Sequence, residues 1–249
     1  MRIGRMSVFA LAVAVFGALA LVGIAIASGD STATFEFTPD KVPKRTYSKG
    51  KLFVHTHTDY TGGTRTLRTQ LYFDDDLKIR TTRIPRCNAA NISGNTTMKQ
   101  AMARCGDAKV GSGRAEANAA VPGDVKGCVL AFNGQQSGGR PTLVLFTRLN
   151  LVGPISCANP AQNTNGNTTV LLQGLLKGAS GDYGTQLDVN NIPGPLPLSD
   201  FQVSVKRGRY VSARCHDGNK TWNMKAKFTY VTPSATQTVN SSETCRVKH

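Results

Sequence analysis

From residue 221 to 231 the chain alternates strictly. Trp222, Met224, Ala226, Phe228 and Tyr230 share one face, and Asn223, Lys225, Lys227 and Thr229 point the other way. A period of two is the mark of a half-buried antiparallel strand. Short runs rich in Val, Leu, Thr, Phe and Tyr recur at 51–60, 66–73, 127–132, 142–149, 168–176, 200–206 and 210–215. Turn residues lie between them. The pattern predicts an all-β chain folded as an antiparallel β-sandwich, and about 220 residues is a size that one such domain reaches.

Turn chemistry fits this reading. Asn133-Gly134 and Ser137-Gly138-Gly139 read as a hairpin with a longer loop. Pro193-Gly194-Pro195 with Pro197 marks a stiff connection, 159–167 a polar loop, and Lys206-Arg207-Gly208-Arg209-Tyr210 a charged hairpin turn. One short helix is predicted. Asn95 or Thr96 caps it, Met98, Ala101 and Met102 give it an apolar face, and Gly106 ends it. It is expected as a connector across one end of the sandwich.

Cys87, Cys105, Cys128, Cys157, Cys215 and Cys245 are even in number, and no two have C-x-x-C spacing. Three disulfides are therefore expected, in an oxidising compartment. Six cysteines allow 15 pairings; nearest neighbours, Cys87–Cys105, Cys128–Cys157 and Cys215–Cys245, are the preferred set. The N-terminus agrees on compartment. Arg2 and Arg5 precede an apolar run from Val8 to Ala27 that ends in Ala25-Ile26-Ala27, the layout of a secretory signal. The expected organisation is a signal at 1–27, a flexible leader at 28–33 and one β-sandwich domain at 34–249. Because about 20 apolar residues span a bilayer, an uncleaved anchor is the alternative. Only then would the protein touch a membrane. Either way the chain is expected to be secreted or held on the outer face of the cell envelope.

Thirty Lys and Arg face 15 Asp and Glu, a net charge of +15. Such an excess favours anionic partners, here an anionic cell-wall polymer or another acidic surface. The candidate anion contacts are Lys206, Arg207, Arg209, Lys225 and Lys227. Nucleic acid is disfavoured, because basic residues are not interleaved with aromatics and no known module is present.

Two clusters suggest metal chemistry. His55, His57 and Asp59 fall on one face of a strand, a set that suits Zn²⁺ or Cu²⁺. Asp74-Asp75-Asp76 would suit Ca²⁺, with Asp74 or Asp76 completing the histidine set if strands 51–60 and 66–73 are adjacent. The plainer reading is preferred for both. The histidines then form the polar outer face of a strand whose inner face is Leu52, Val54, Thr56, Thr58 and Tyr60. The aspartates are neutralised by basic neighbours such as Lys78 and Arg80. No cofactor is expected. Catalytic signatures are missing: there is no G-x-S-x-G, H-E-x-x-H, Walker loop or G-x-G-x-x-G. A non-enzymatic role is preferred, and the alternative is a metal-binding protein or metalloenzyme using the His55, His57 and Asp59 strand face.

The stretches FEFTPDKVP (35–43), KLFVHTHTDY (51–60) and QLYFDDDLKI (70–79) resemble a large group of uncharacterised exported proteins of high-GC Gram-positive soil bacteria. So do LLQGLLKGASGDYGTQLDV, DFQVSVKR and YVSARCHDGNKTWNMKAKFTY in the second half. The resemblance implies a secreted β-sandwich and supports pairing Cys87 with Cys105 and Cys215 with Cys245. It implies no activity.

Overall fold

The computed structural model describes residues 30–60, 65–118, 125–150, 157, 168–192, 197–216, 221–231 and 234–248. The signal segment, the 159–167 loop and the 193–195 connection lie outside the described residues. The strands of the first half are β1 (Asp30–Thr38), β2 (Lys41–Val42), β3 (Ser48–Lys49), β4 (Lys51–Asp59), β5 (Thr66–Asp74), β6 (Leu77–Ile79), β7 (Lys109–Ala117) and β8 (Val125–Ser137). Those of the second half are β9 (Arg140–Asn150), β10 (Thr168–Gly178), β11 (Tyr183–Val189), β12 (Leu198–Val205), β13 (Val211–Ala213), β14 (Thr221–Tyr230), β15 (Thr236–Thr244) and β16 (Arg246–Val247). Helix α1 spans Met98–Cys105.

The chain is all-β with one short helix, but it is not a sandwich. Eleven strands form a single sheet in the order β1-β4-β12-β7-β8-β9-β10-β11-β5-β14-β15, every neighbour antiparallel. The sheet curls until its ends meet, giving a nearly closed barrel. An odd strand count makes the two edges run the same way, so β1 and β15 approach in parallel. Side chains bridge them. The Ser31 amide donates to Gln237 Oε1 at 2.8 Å, Gln237 Nε2 donates back to the Ser31 carbonyl at 3.2 Å, and Glu243 Oε2 accepts the Phe37 amide at 2.5 Å. The seam thus satisfies edge groups that would otherwise template pairing with another chain. Period-two patterning cannot separate a sandwich from a barrel, because both bury alternate residues.

The segment expected as a flexible leader is already paired from Asp30 onward, with Ser31 and Ala33 buried. Inside the barrel, Phe35, Phe37, Leu52, Val54, Leu71, Phe73, Trp222 and Phe228 join one continuous core. Strands β8 and β9 are buried on both faces: Val129, Ala131, Leu143 and Leu145 point inward, while Leu130, Phe132, Val144 and Phe146 form a second core outside. Their unbroken apolar runs follow from this double burial. The outer cover is α1, which packs Met98, Ala101 and Cys105 on that face. It lies on the barrel wall, where each large buried side chain contributes about 2 kcal/mol, and not across an end. Its cap is Thr97, in a capping box with Gln100. The β8–β9 turn is Gly138-Gly139, both at positive φ (56° and 76°), with Asn133-Gly134 inside β8.

The three disulfides are Cys87–Cys105, Cys128–Cys157 and Cys215–Cys245. A small sheet in the order β3-β13-β6 covers one end of the barrel, where its Ile79 and Val211, with Tyr210 just before β13, line the interior.

Candidate functional site

Beside that small sheet, the segment after β6 and the β12–β13 connection meet. Arg80, Thr82, Arg83 and Ile84 from the first, with Arg207, Gly208 and Arg209 from the second, line a cleft of about 580 Å³. Backbone bonds lace the segments together: Arg80 N–H donates to the Tyr210 carbonyl at 2.7 Å and Tyr210 N–H to the Arg207 carbonyl at 2.8 Å. Arg80, Arg83 and Arg209 are exposed, and Arg207 is half-buried. The Arg207 guanidinium is held by the Lys109 carbonyl at 3.0 Å.

The loop beneath Arg83 is built to hold one shape. Asn133, fully buried in β8, donates through Nδ2 to the carbonyls of Thr81, Ile84 and Pro85 at 3.0–3.1 Å. The Cys87 amide then bonds the Asn133 carbonyl at 2.8 Å, and Cys87 is tied to α1 by its disulfide. The outcome is a left-handed backbone at Arg83, φ 65°, which is uncommon for a residue with a Cβ. Gly208 opposite takes φ 54°, as a tight turn requires.

Among the described residues no carboxylate lines the cleft and none of its arginines is ion-paired. Neighbouring cations add to the field. Burial, then the charge of Lys206, pushes the Lys109 ammonium below its usual range. Four arginines line the cleft, with the Arg80 guanidinium also 5.9 Å from the Tyr47 ring, and such a lining suits a polyvalent oxyanion, whose oxygens match the guanidinium fork of donors.

The expected anion contacts divide. Lys206, Arg207 and Arg209 belong to this end of the barrel, although their turn links the barrel to the small sheet and is not a hairpin within one sheet. Lys225 and Lys227 lie on the outer face of β14, where the Lys225 ammonium sits over the Tyr72 and Tyr183 rings at 4.5 and 4.6 Å. Arg80 and Arg83 were not anticipated. Arg80, Arg83 and Arg86 fall within seven residues, which is a signal, but only the fold brings them to Arg207 and Arg209.

The metal sets are not assembled. Strands β4 and β5 are not neighbours; β1, β15 and β14 stand between them around the closed seam. His55 and His57 do share an outer face, and both meet Asp200 of β12, with His55 Nε2 at 2.5 Å and His57 Nδ1 at 3.6 Å. Asp59 pairs in register with Asp30 at the barrel edge. Leu52, Val54, Thr56, Thr58 and Tyr60 face the interior as expected. Asp74 accepts the Asp76 and Asn223 amides at 3.0 and 2.9 Å, with burial raising its pKa. Asp76 binds Arg214 Nε at 2.6 Å and the His216 amide at 2.9 Å. The basic neighbour that pairs with the run is Arg214, at Asp76. Among the described residues no group of three or more His, Cys, Asp or Glu could hold a metal ion.

A buried ion network lies on the outer wall. Asp188 accepts Arg68 Nε and Nη2 at 2.8 and 2.6 Å and Lys177 Nζ at 2.9 Å. The Arg68 hydrogen bonds, supported by Lys177, hold its carboxyl below the usual range. Among the described residues no helix is long and apolar enough to cross a membrane. No known protein family, curated protein or solved structure matches the chain.

Proposed function

We propose that the protein acts outside the cytoplasm as a non-enzymatic binding protein for an anionic envelope polymer, engaged at the four-arginine cleft. The observation that carries this reading is that Arg80, Arg83, Arg207 and Arg209 line one cleft with no acidic residue among its described lining residues. A loop locked by Asn133 and a disulfide supports it, since a contact surface held in advance loses less entropy on binding. The three disulfides fit an oxidising compartment. The positive excess of the whole chain would speed encounter with a polyanion.

The test is co-sedimentation of the protein with purified bacterial walls across a salt series, beside walls stripped of anionic polymer. Binding at low salt that is lost on stripping, and lost with salt as the Debye length falls to about 3 Å at 1 M, is the expected result. No binding at low salt, or equal binding to stripped walls, would refute the reading.

A further inference from the structure

The barrel interior is not filled. A cavity of about 100 Å³ lies among Leu52, Val54, Leu71, Leu172, Val203 and Phe228. It is of the same order as the roughly 150 Å³ engineered cavity that stays dry and binds benzene. Among the described residues its lining contains no charged side chain. Its polar members are threonines and two tyrosines, and these differ in one respect. Tyr60 donates to the Leu198 carbonyl at 2.8 Å, and Thr58 bonds Ser31 at 2.9 Å. Tyr210 is 1 % exposed and its hydroxyl has no hydrogen-bond partner among the described residues. An unpaired hydroxyl in an apolar interior is costly and calls for an acceptor.

We propose that the barrel cavity is a binding site for a small neutral molecule: an apolar chain or ring of about six carbons carrying one carbonyl or hydroxyl oxygen that accepts from Tyr210. Charge decides the class. Burial raises the Tyr210 pKa, so the phenol is a donor at any physiological pH. A carboxylate or phosphate would enter a space with no cation to meet it, at a desolvation cost one hydrogen bond does not offset. A plain hydrocarbon would fit the walls but leave the hydroxyl unpaired. The cavity and the arginine cleft share no lining residue, although the Tyr210 backbone joins the cleft's two segments, and the proposal does not rest on the cleft.

The probes are 2-hexanone, hexane and hexanoate, titrated into the intact protein at neutral pH by calorimetry. The ketone binds, hexane binds more weakly, and hexanoate does not bind. Tyr210→Phe keeps the ring volume and removes only the hydroxyl; it lowers ketone affinity about fivefold and leaves hexane unchanged. Leu172→Phe fills the cavity and abolishes both while the protein still melts cooperatively. Failure of the folded wild type to bind either neutral probe overturns the site. Ketone affinity unchanged in Tyr210→Phe overturns the role of the hydroxyl and assigns it to water.

Discussion

Arg83 couples backbone strain to the cleft, and two substitutions separate the effects. At φ 65° a side chain with a Cβ sits in the left-handed region, at about 1–2 kcal/mol for an ordinary residue. Arg83→Gly releases that strain, but glycine loses more freedom on folding, offsetting about 0.5–1 kcal/mol. Its stability should therefore lie within about 1 kcal/mol of the wild type. Arg83→Ala keeps the strained backbone and should fall about 1 kcal/mol below the glycine variant, or about 2–4 °C in Tm for a chain this long. Both variants lack the guanidinium and should lose the same polymer affinity. Urea unfolding with matched m-values, followed by wall co-sedimentation, reads the two quantities separately. Equal stability of the Gly and Ala variants would refute the strained loop. Wild-type affinity in either would remove Arg83 from the contact.

Other perturbations reach the frame that holds the site. Asn133→Leu strips three carbonyls of their donor and should cost about 3 kcal/mol, with amide exchange accelerating first around residues 80–87. Asp188 has a depressed folded-state pKa, so its stabilisation is full above the unfolded value near 4 and is lost as pH falls through the folded value. Asp188→Asn should lower stability by about 2 kcal/mol at pH 7, less than a fully buried pair because Arg68 and Lys177 reach water. It should also flatten the acid limb of a pH series of urea melts; an unchanged limb would mean that other carboxylates set it. Replacing Cys215 and Cys245 by Ala opens a loop of separation 30 and should cost about 3 kcal/mol in a chemical melt. Glu243→Leu leaves the Phe37 amide unpaired at the seam and should cost about 1–2 kcal/mol, whereas Glu243→Gln keeps an acceptor and should stay near wild type.

Local alternation was legible wherever one face meets the core and the other meets water, as on β14 and β4, and the nearest-neighbour cysteine pairing is the one the fold contains. What was missed follows from limits of local pattern. β1 is half polar and follows a leader-like composition, so its pairing with β4 was not visible. β11 interrupts its alternation with Gly184, whose added Cβ would sit 2.9 Å from the Asp75 backbone. β7 carries Gly111 and Gly113, where an added Cβ would fall 2.2 and 1.8 Å from the Ser204 and Gln202 carbonyls. Glycine there serves close strand approach, which reads as turn propensity in a sequence. Barrel closure depends on edge strands 206 residues apart, and the cleft on backbone bonds between segments about 130 residues apart. Asp200, the true partner of His55 and His57, lies on a strand whose neighbour only the topology names.

The proposed function requires a defined cleft, and not bulk positive charge, to carry polymer binding. The direct test compares two variants with the same net charge on immobilised poly(glycerol phosphate). One replaces Arg80, Arg83, Arg207 and Arg209 by Gln; the other replaces the exposed Lys44, Arg45, Lys99 and Lys248. The cleft variant is expected to lose affinity about tenfold or more, since charge-assisted bonds to phosphate are the strong ones, while the control keeps most of its binding. Equal losses in the two would contradict binding at the cleft and leave only nonspecific charge.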